Sequence, residues 1–395
     1  MHADPAPAHQ ALPAWSAVYA LTLCVSTLIA SEFLPVSLLT PLARDLHLSE
    51  GTAGQAIAVS GVFAVVTSLG VARIAARLDR RHLLLGLVAL MGLSGAVVAC
   101  AGDFTVLMAG RAMLGVVIGG FWSMSAATVM RLVPPADVPR ALAVLNGGNA
   151  LATTVAAPLG SFLGQYIGWR GAFLLVVPLA VVTFAWMWHS LPTLAPPRDS
   201  ARSAVWRVLT RPKVALGLLA SGLLFMGQFA AFTYFRPFLE QATAVSVSTL
   251  SAMLLGLGLA GLVGNALVGR AVAASLRGAL LAMPVAMALI ALGLVAWGRV
   301  PLATGVLLAL WGAIGTAAPV AWWTWLARAL PDDAEAGGGL MVAVIQLAIT
   351  LGAALGGGLF DRWGYPAAFA AAAALLVASG VLGWASVPRA PAERK

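Results

Sequence analysis

Charged residues are scarce in this chain: of its 395 residues only 9% are Asp, Glu, Lys or Arg, whereas 61% are hydrophobic. A soluble domain carries charge on roughly a quarter of its residues, so this sequence lacks the polar surface that a globule needs in water. Cysteine is scarce too, and because Cys24 and Cys100 both lie in apolar segments, we expect no disulfide framework. These shortages predict a protein whose exterior is largely covered by lipid.

The sequence also lacks the motifs of enzymes and of ATP-driven pumps. It contains no phosphate-binding P-loop, and its five histidines are scattered rather than grouped at metal-ligand spacing. The net charge of +9 comes from short loops between apolar segments, which is typical of membrane topology and not of a nucleic-acid surface. We therefore expect no enzyme activity, cofactor, metal or nucleic-acid partner, and a driving force taken from an ion gradient or from the substrate's own gradient.

Twelve apolar segments are long enough to cross a bilayer, which takes about 20 helical residues. They predict an all-α integral membrane protein with twelve transmembrane helices in two pseudo-symmetric six-helix bundles. The predicted regions are a cytoplasmic tail 1–14, bundle 15–190, cytoplasmic linker 191–212, bundle 213–387 and tail 388–395. The predicted spans are 15–39, 52–75, 82–101, 104–130, 141–166, 172–190, 213–238, 249–272, 278–297, 302–326, 338–360 and 366–387.

The basic residues of the loops predict how the chain is oriented. With the N-terminus in the cytoplasm, 17 of the 23 Lys and Arg residues fall on the cytoplasmic side and 4 on the outer side. This asymmetry follows the positive-inside rule and favours an even number of spans, with both termini on the cytoplasmic side of a bacterial inner membrane. The outer four are Arg44, Arg170, Arg299 and Arg362, while Arg111 and Arg236 lie in or at the edge of spans.

The two halves of the sequence repeat each other. Residues 159–173 match 355–369 at a shift of 196, through a Leu-Gly pair, a later Gly and a final Phe. Residues 131–134 match 328–331 at a shift of 197, as Arg-Leu-Val-Pro against Arg-Ala-Leu-Pro. Both shifts are close to half the chain length and predict a duplicated six-span unit. Parallel repeats of this kind place a substrate path between the halves, near the bilayer midplane.

Two ionisable residues inside predicted spans are candidates for proton coupling, because a charge within the membrane is costly and usually functional. Glu32 lies in the outer part of the first span, beside Pro35, where a carboxyl group can load and release a proton. Arg111 in the fourth span keeps its charge, so it needs a partner such as Glu32 or a water-filled cavity. The alternatives are a structural carboxylate at a wet helix end and an arginine that snorkels to the outer headgroups.

Polar and aromatic residues of other spans are candidates for contact with a substrate. Trp122 and Ser125 fall on the Arg111 side of their helix, and Asn146 and Asn149 share one helix face. Each can equally serve as hydrogen-bonding glue between helices or, for tryptophan, as an interface anchor. The predicted substrate-binding set is Trp122, Ser125, Asn146, Asn149, Gln228, Tyr234, Arg236, Trp322 and Gln346.

Motifs in three places resemble those of the major facilitator superfamily, in its drug and sugar:proton antiporter type. Residues 78–81, Leu-Asp-Arg-Arg, resemble a degenerate form of the family's loop between spans two and three. Arg111 with the glycine four residues on resembles the span-four arginine signature, and 148–160 resembles the span-five signature of exporters. The resemblance implies proton transfer at Arg111 and a lock between the half-bundles at the cytoplasmic face. The gating loop would comprise Asp79, Arg80 and Arg81.

Longer runs resemble exporters of purine ribonucleosides within the same superfamily. They include 32–41, 119–126, 130–135, 156–164, 167–170, 227–229, 232–234 and 342–347. This resemblance implies export of inosine-, adenosine- and guanosine-like nucleosides against incoming protons, by rocker-switch alternating access. We expect the transporter to be a monomer. A sugar or multidrug exporter of the same superfamily is the alternative, and a membrane receptor or scaffold is a second one.

Overall fold

A computed structural model describes residues 14–75, 78–194, 210–330 and 334–387. The predicted tails, apart from Ala14, and most of the predicted linker lie outside these ranges. Within them the regular structure is helical throughout, which confirms the all-α prediction. The α-helices are α1 Trp15–Asp45, α2 Glu50–Ala75, α3 Arg80–Ala99, α4 Phe104–Leu132, α5 Val138–Leu174, α6 Val176–Ser190, α7 Pro212–Phe232, α8 Phe235–Gln241, α9 Val247–Ala274, α10 Leu276–Trp297, α11 Pro301–Ala329, α12 Ala334–Trp363 and α13 Tyr365–Ser386.

Eleven helical stretches of the described chain are long and apolar enough to cross a membrane, and α7 with α8 counts as one of them. α6 alone is too short, with 15 residues. However, Gly168 breaks α5 with a φ of 71°, and Leu175 after it keeps helical dihedrals of −62° and −21°. The chain from Trp169 to Ser190 is therefore one continuous rod and forms the twelfth predicted span.

The backbone itself repeats at half the chain length. Positive φ angles, which are uncommon outside glycine, occur in the described residues at four positions that form two pairs. His47 at 54° corresponds to Ala244 at 55°, an offset of 197, and Gly168 at 71° corresponds to Gly364 at 75°, an offset of 196. The helices begin at the same offsets, since α1 to α4 start at 15, 50, 80 and 104 and α7, α9, α10 and α11 start at 212, 247, 276 and 301.

The two halves, α1–α6 and α7–α13, meet mainly through three helix pairs: α2 with α12, α5 with α9 and α1 with α8. We call one end of the bundle the closed face; it contains the turns 46–49, 100–103, 242–246 and 298–300 together with Gly168 and Gly364. The end with residues 133–134, 191–194 and 275 is the opposite face. On the predicted orientation, the closed face is the outer one.

Hydrogen bonds join the halves at the closed face. The Ser49 hydroxyl donates to Oδ2 of Asp361 at 2.5 Å, and the Gly51 N–H donates to Oδ1 of the same carboxylate at 2.8 Å. Nε2 of Gln241 donates to Oε1 of Glu50 at 3.2 Å. The Asp361 carboxylate of one half thus caps the N-terminus of α2 in the other, where the helix dipole favours negative charge.

Candidate functional site

A cavity lies between the two halves, at the middle of the bundle. Its volume is about 60 Å³, far below the roughly 300 Å³ at which ligand pockets begin. The cavity is therefore too small for a substrate in this conformation, and its walls must move apart for one to enter. Its wall is mainly aromatic and hydroxyl-bearing, and its residues from both halves include Phe33, Thr153, Gln228, Phe229, Phe232 and Trp311.

The aromatic rings of this cavity form one cluster across the interface between the halves. Phe33 of α1 stacks on Phe229 of α7, with centroids 6.1 Å apart and planes at 23°. It also meets Phe232 edge-on at 5.9 Å. A stacked pair with an open side offers a flat apolar surface to a planar ring.

Two polar atoms beside the cavity have no hydrogen-bond partner among the described residues: Oε1 of Gln228 and Nε1 of Trp311. The other amide atom of Gln228 donates to the Gly315 carbonyl at 3.4 Å. Trp311 is only 1% exposed, and an unpaired buried polar group is costly. Gln228 and Trp311 both line the cavity, but these two atoms are buried in its wall, so a polar ligand can pair with them only after the wall rearranges.

Arg111 is buried, at 1% exposure, and does not snorkel to the membrane surface. Its Nε donates to the Ala56 carbonyl at 2.9 Å and its Nη1 to the Ser31 carbonyl at 3.0 Å. Nη2 donates to the hydroxyl of Ser60 at 3.2 Å and to the backbone carbonyl of Glu32 at 3.4 Å. The guanidinium therefore ties α4 to α1 and α2 within the first half.

Glu32 lies beside this arginine and reaches across to the second half. Glu32 is 8% exposed, and its carboxyl group lies in the field of Arg111 and close to the side chain of Gln346 on α12. Gln346 in turn packs on α2, because its carbonyl oxygen lies beside Gly61. The predicted proton-coupling pair and one predicted substrate residue thus meet at the interface between the halves.

Asn146 and Asn149 lie on the cavity side of α5, towards the opposite face. Thr153 lines the cavity, and positions seven and four residues before it fall on the same helical stripe. Asn146 is exposed and donates to the Leu142 carbonyl of its own helix at 2.9 Å. Asn149 is half-buried. The stripe can line an approach to the cavity from the opposite face.

Other predicted substrate residues lie away from the cavity. Tyr234 is fully buried in the second half, donates to the Ala353 carbonyl at 2.8 Å and stacks on Phe360. Trp322 is 1% exposed and packs edge-on against Trp325, 5.6 Å away, between α11 and α13. Tyr234 belongs to the contact between α2 and α12, since a side chain at Gly54 would overlap its hydroxyl.

Trp122, Ser125 and Arg236 also lie elsewhere. Trp122 is half-buried with its edge to Phe121, and Ser125 is 1% exposed inside α4. The predicted stripe with Arg111 exists along α4, but the guanidinium of Arg111 binds α1 and α2. Arg236 lies at the closed face. The substrate roles of these residues stay predictions.

The predicted gating loop binds its own half in this structure. Oδ1 of Asp79 accepts the N–H groups of Arg81 at 2.8 Å and Leu194 at 3.0 Å. Nη2 of Arg81 donates to the Trp188 carbonyl at 2.6 Å, and the N–H of Arg80 donates to the Leu194 carbonyl at 3.2 Å. Residues 76–77 of the loop lie outside the described ranges. These contacts tie α3 to the end of α6.

Sequence reasoning missed Trp311 and Phe33. Trp311 lies in the middle of an apolar span, whereas tryptophan in membrane proteins prefers the interfaces. Its position in the middle of a span was therefore the signal in the sequence that could have identified Trp311 as a cavity residue. Phe33 had no comparable signal, because a phenylalanine in an apolar span is expected to face lipid or helices equally well.

A family model described as Major Facilitator Superfamily matches residues 20–340 of the chain. A relative from Pseudomonas aeruginosa, named transcription regulatory protein OpdE, is 57% identical over 93% of this chain and 92% of its own length. The purine ribonucleoside efflux pump NepI of Escherichia coli O6:H1 is 43% identical over 95% of both chains.

Solved transporters share the fold at low sequence identity. A D-xylose-proton symporter superposes with a TM-score of 0.76 at 15% identity, over 95% of this chain and 98% of its own. A bacterial homologue of the human lysosomal transporter Spinster, in an inward-facing and occupied conformation, gives a TM-score of 0.72 at 16% identity over 95% and 96%.

Proposed function

The chain belongs to the Major Facilitator Superfamily and is a multi-pass membrane transporter, and on that premise we propose that it exports purine ribonucleosides in exchange for protons. The observation that carries the proposal is the cavity between the halves. Its stacked phenylalanines suit a planar base, and its unpaired donor and acceptor suit polar edges and hydroxyl groups. The 43% identity to the nucleoside efflux pump supports the same cargo.

Proton coupling is proposed for Glu32, because its carboxyl group lies at the interface between the two halves. It lies near Arg111 of its own half and near Gln346 of the other. Loss or gain of a proton there changes the charge at the interface that alternating access must open. Arg111 holds the carbonyls around Glu32 and so positions it.

Counterflow in proteoliposomes tests the cargo. Vesicles loaded with unlabelled inosine should accumulate labelled inosine, and adenosine and guanosine should compete. Absence of exchange with all three nucleosides would reject the assignment. Sugars or cationic drugs that exchange instead would establish the alternative exporter within the superfamily.

Glu32→Gln separates coupling from binding. Glutamine keeps the shape and the hydrogen bonding but carries no ionisable proton, so counterflow should persist while acceleration by an imposed pH gradient is lost. Asp103→Asn is the matched control, because Asp103 only caps α4 through the Val106 N–H at 2.9 Å and asparagine caps as well. Full pH-driven transport by the Glu32 variant would exclude a coupling role.

A receptor that controls transcription is the second candidate function, and the name of the 57% identical relative is the observation that favours it. A transporter can also change transcription, by exporting an inducer. An effect on transcription therefore does not distinguish a receptor from a transporter, whereas a measurement of transport does. A receptor should bind a ligand, seen as a thermal shift, without moving it in counterflow.

A further inference from the structure

Two prolines leave two carbonyl groups of α1 without their helical partners. Proline has no N–H, so the carbonyl four residues earlier loses its hydrogen bond. Pro35 frees the carbonyl of Ser31, and Pro41 frees that of Ser37. Both carbonyls are buried in the helix that runs along the interface between the halves, so each needs another donor.

Each freed carbonyl accepts from an arginine. The Ser31 carbonyl accepts from Arg111 of its own half. The Ser37 carbonyl accepts from Nη1 of Arg236, on α8 of the other half. The same nitrogen also lies 3.4 Å from the Ser161 hydroxyl, which accepts from Ser251 at 2.9 Å. These bonds join α1, α5, α8 and α9 at the closed face.

We propose that Arg236 is the latch of the closed face: its guanidinium holds the halves together there by binding the backbone carbonyl that Pro41 frees, and it must release this carbonyl when that face opens. Arg236 is 6% exposed and is not among the residues that line the cavity. In this structure its contacts are therefore those of a closing element and not of the cavity wall. This inference goes beyond the proposed function, because any cargo requires the same release.

Arg236 can release the Ser37 carbonyl without leaving its own positive charge unpaired. Nε of Arg236 donates to Oε1 of Glu240, one turn along α8, at 2.9 Å. This pair lies within one half and can survive opening. Oε2 of Glu240 has no hydrogen-bond partner among the described residues, so it can accept from the guanidinium once Ser37 is released. Water at the opened face can then bind the freed carbonyl.

The test measures opening of the closed face without any substrate. Thr153→Cys, in a chain whose two native cysteines are replaced by alanine, reports access to the cavity. An impermeant maleimide is applied from the side of the membrane that is outside the closed face. This side is identified with the unmodified chain, because its native Cys100 is exposed in the closed-face turn 100–103 and reacts only from there. Because the reporter reacts only while the face is open, its labelling rate follows the open fraction.

Arg236→Gln should raise this rate roughly tenfold, the factor that corresponds to about 1.4 kcal/mol. Arg170→Gln is the matched control: Arg170 lies at the same face but pairs with Asp45 inside one half, so its rate should stay that of the parent. Pro41→Ala keeps Arg236 and Glu240 but supplies an N–H that competes for the Ser37 carbonyl, and should raise the rate about threefold.

Pro41→Ala carries the test even if Arg236→Gln does not fold, as judged by size exclusion in detergent. Equal rates for Pro41→Ala and the parent, or for Arg236→Gln and Arg170→Gln where both fold, would overturn the latch. Nucleoside counterflow is measured separately. A failure of the cargo assignment leaves the labelling result unchanged, so the two proposals can fail independently.

Discussion

Arg111 and Arg236 make the same kind of contact with α1, but the consequences differ. Both bind a carbonyl of α1 that a proline has freed, at positions six residues apart in the same helix. Arg111 does so within one half, where no rigid-body movement of the halves disturbs it. Arg236 does so across the interface, where every opening must break the bond. The comparison teaches that contacts within a half set stability, whereas contacts across halves set the balance of conformations.

Arg111→Gln should give the largest effect on stability. It removes four hydrogen bonds from a buried cation and leaves the Ser31 carbonyl, which Pro35 has freed, without a donor. A hydrogen bond to a charged group contributes about 1.5–3 kcal/mol, and four are lost together. We expect a large fall in the melting temperature in detergent. Arg236→Gln should lose less, because opening of the closed face lets water reach the Ser37 carbonyl and Glu240; equal losses for both variants would break the comparison.

Two glycines extend the comparison between contacts within a half and contacts across the halves to close helix packing. A methyl group at Gly54 would overlap the Tyr234 hydroxyl across the halves, and one at Gly148 would overlap Thr22 within the first half. Overpacking costs about 1–3 kcal/mol. Gly54→Ala should therefore raise labelling of the cavity reporter with little change in melting temperature, and Gly148→Ala should do the reverse. A second change, Tyr234→Phe, removes the overlapping hydroxyl and should lower the labelling of Gly54→Ala.

Two carboxylates at the closed face give the smallest expected effect. Asp361 caps α2 across the halves, whereas Asp45 pairs with Arg170 inside one half. A charge at a helix N-terminus contributes about 0.3–1 kcal/mol when exposed, and an exposed ion pair contributes little. Asp361→Asn should raise reporter labelling two- to fivefold, and Asp45→Asn should leave it unchanged. Equal labelling of the two variants would limit the comparison to buried contacts.

Much of the fold could be predicted because membrane spans are local features. The twelve spans and the repeat are confirmed, and the positive φ of Gly168 and Gly364 occurs at the offset that the sequence repeat gave. The one departure in length, the short α6, comes from the break at Gly168 rather than from a missing span. Glu32 lies beside Arg111, as one of the alternatives for that arginine had it, whereas the nearness of Gln346 was not predicted.

By itself, the sequence determined that the chain is a membrane protein, how many times it crosses the bilayer and which residue types cannot face lipid. These features can be predicted because hydropathy and loop charge are properties of one span at a time. Only the tertiary structure decided what those residues bind. Arg236 and the Ser37 carbonyl are 199 residues apart, and no periodicity links them. Likewise, Trp311 enters the cavity and Tyr234 does not, because the packing of two six-helix halves, not the composition of either helix, fixes which face meets the interface.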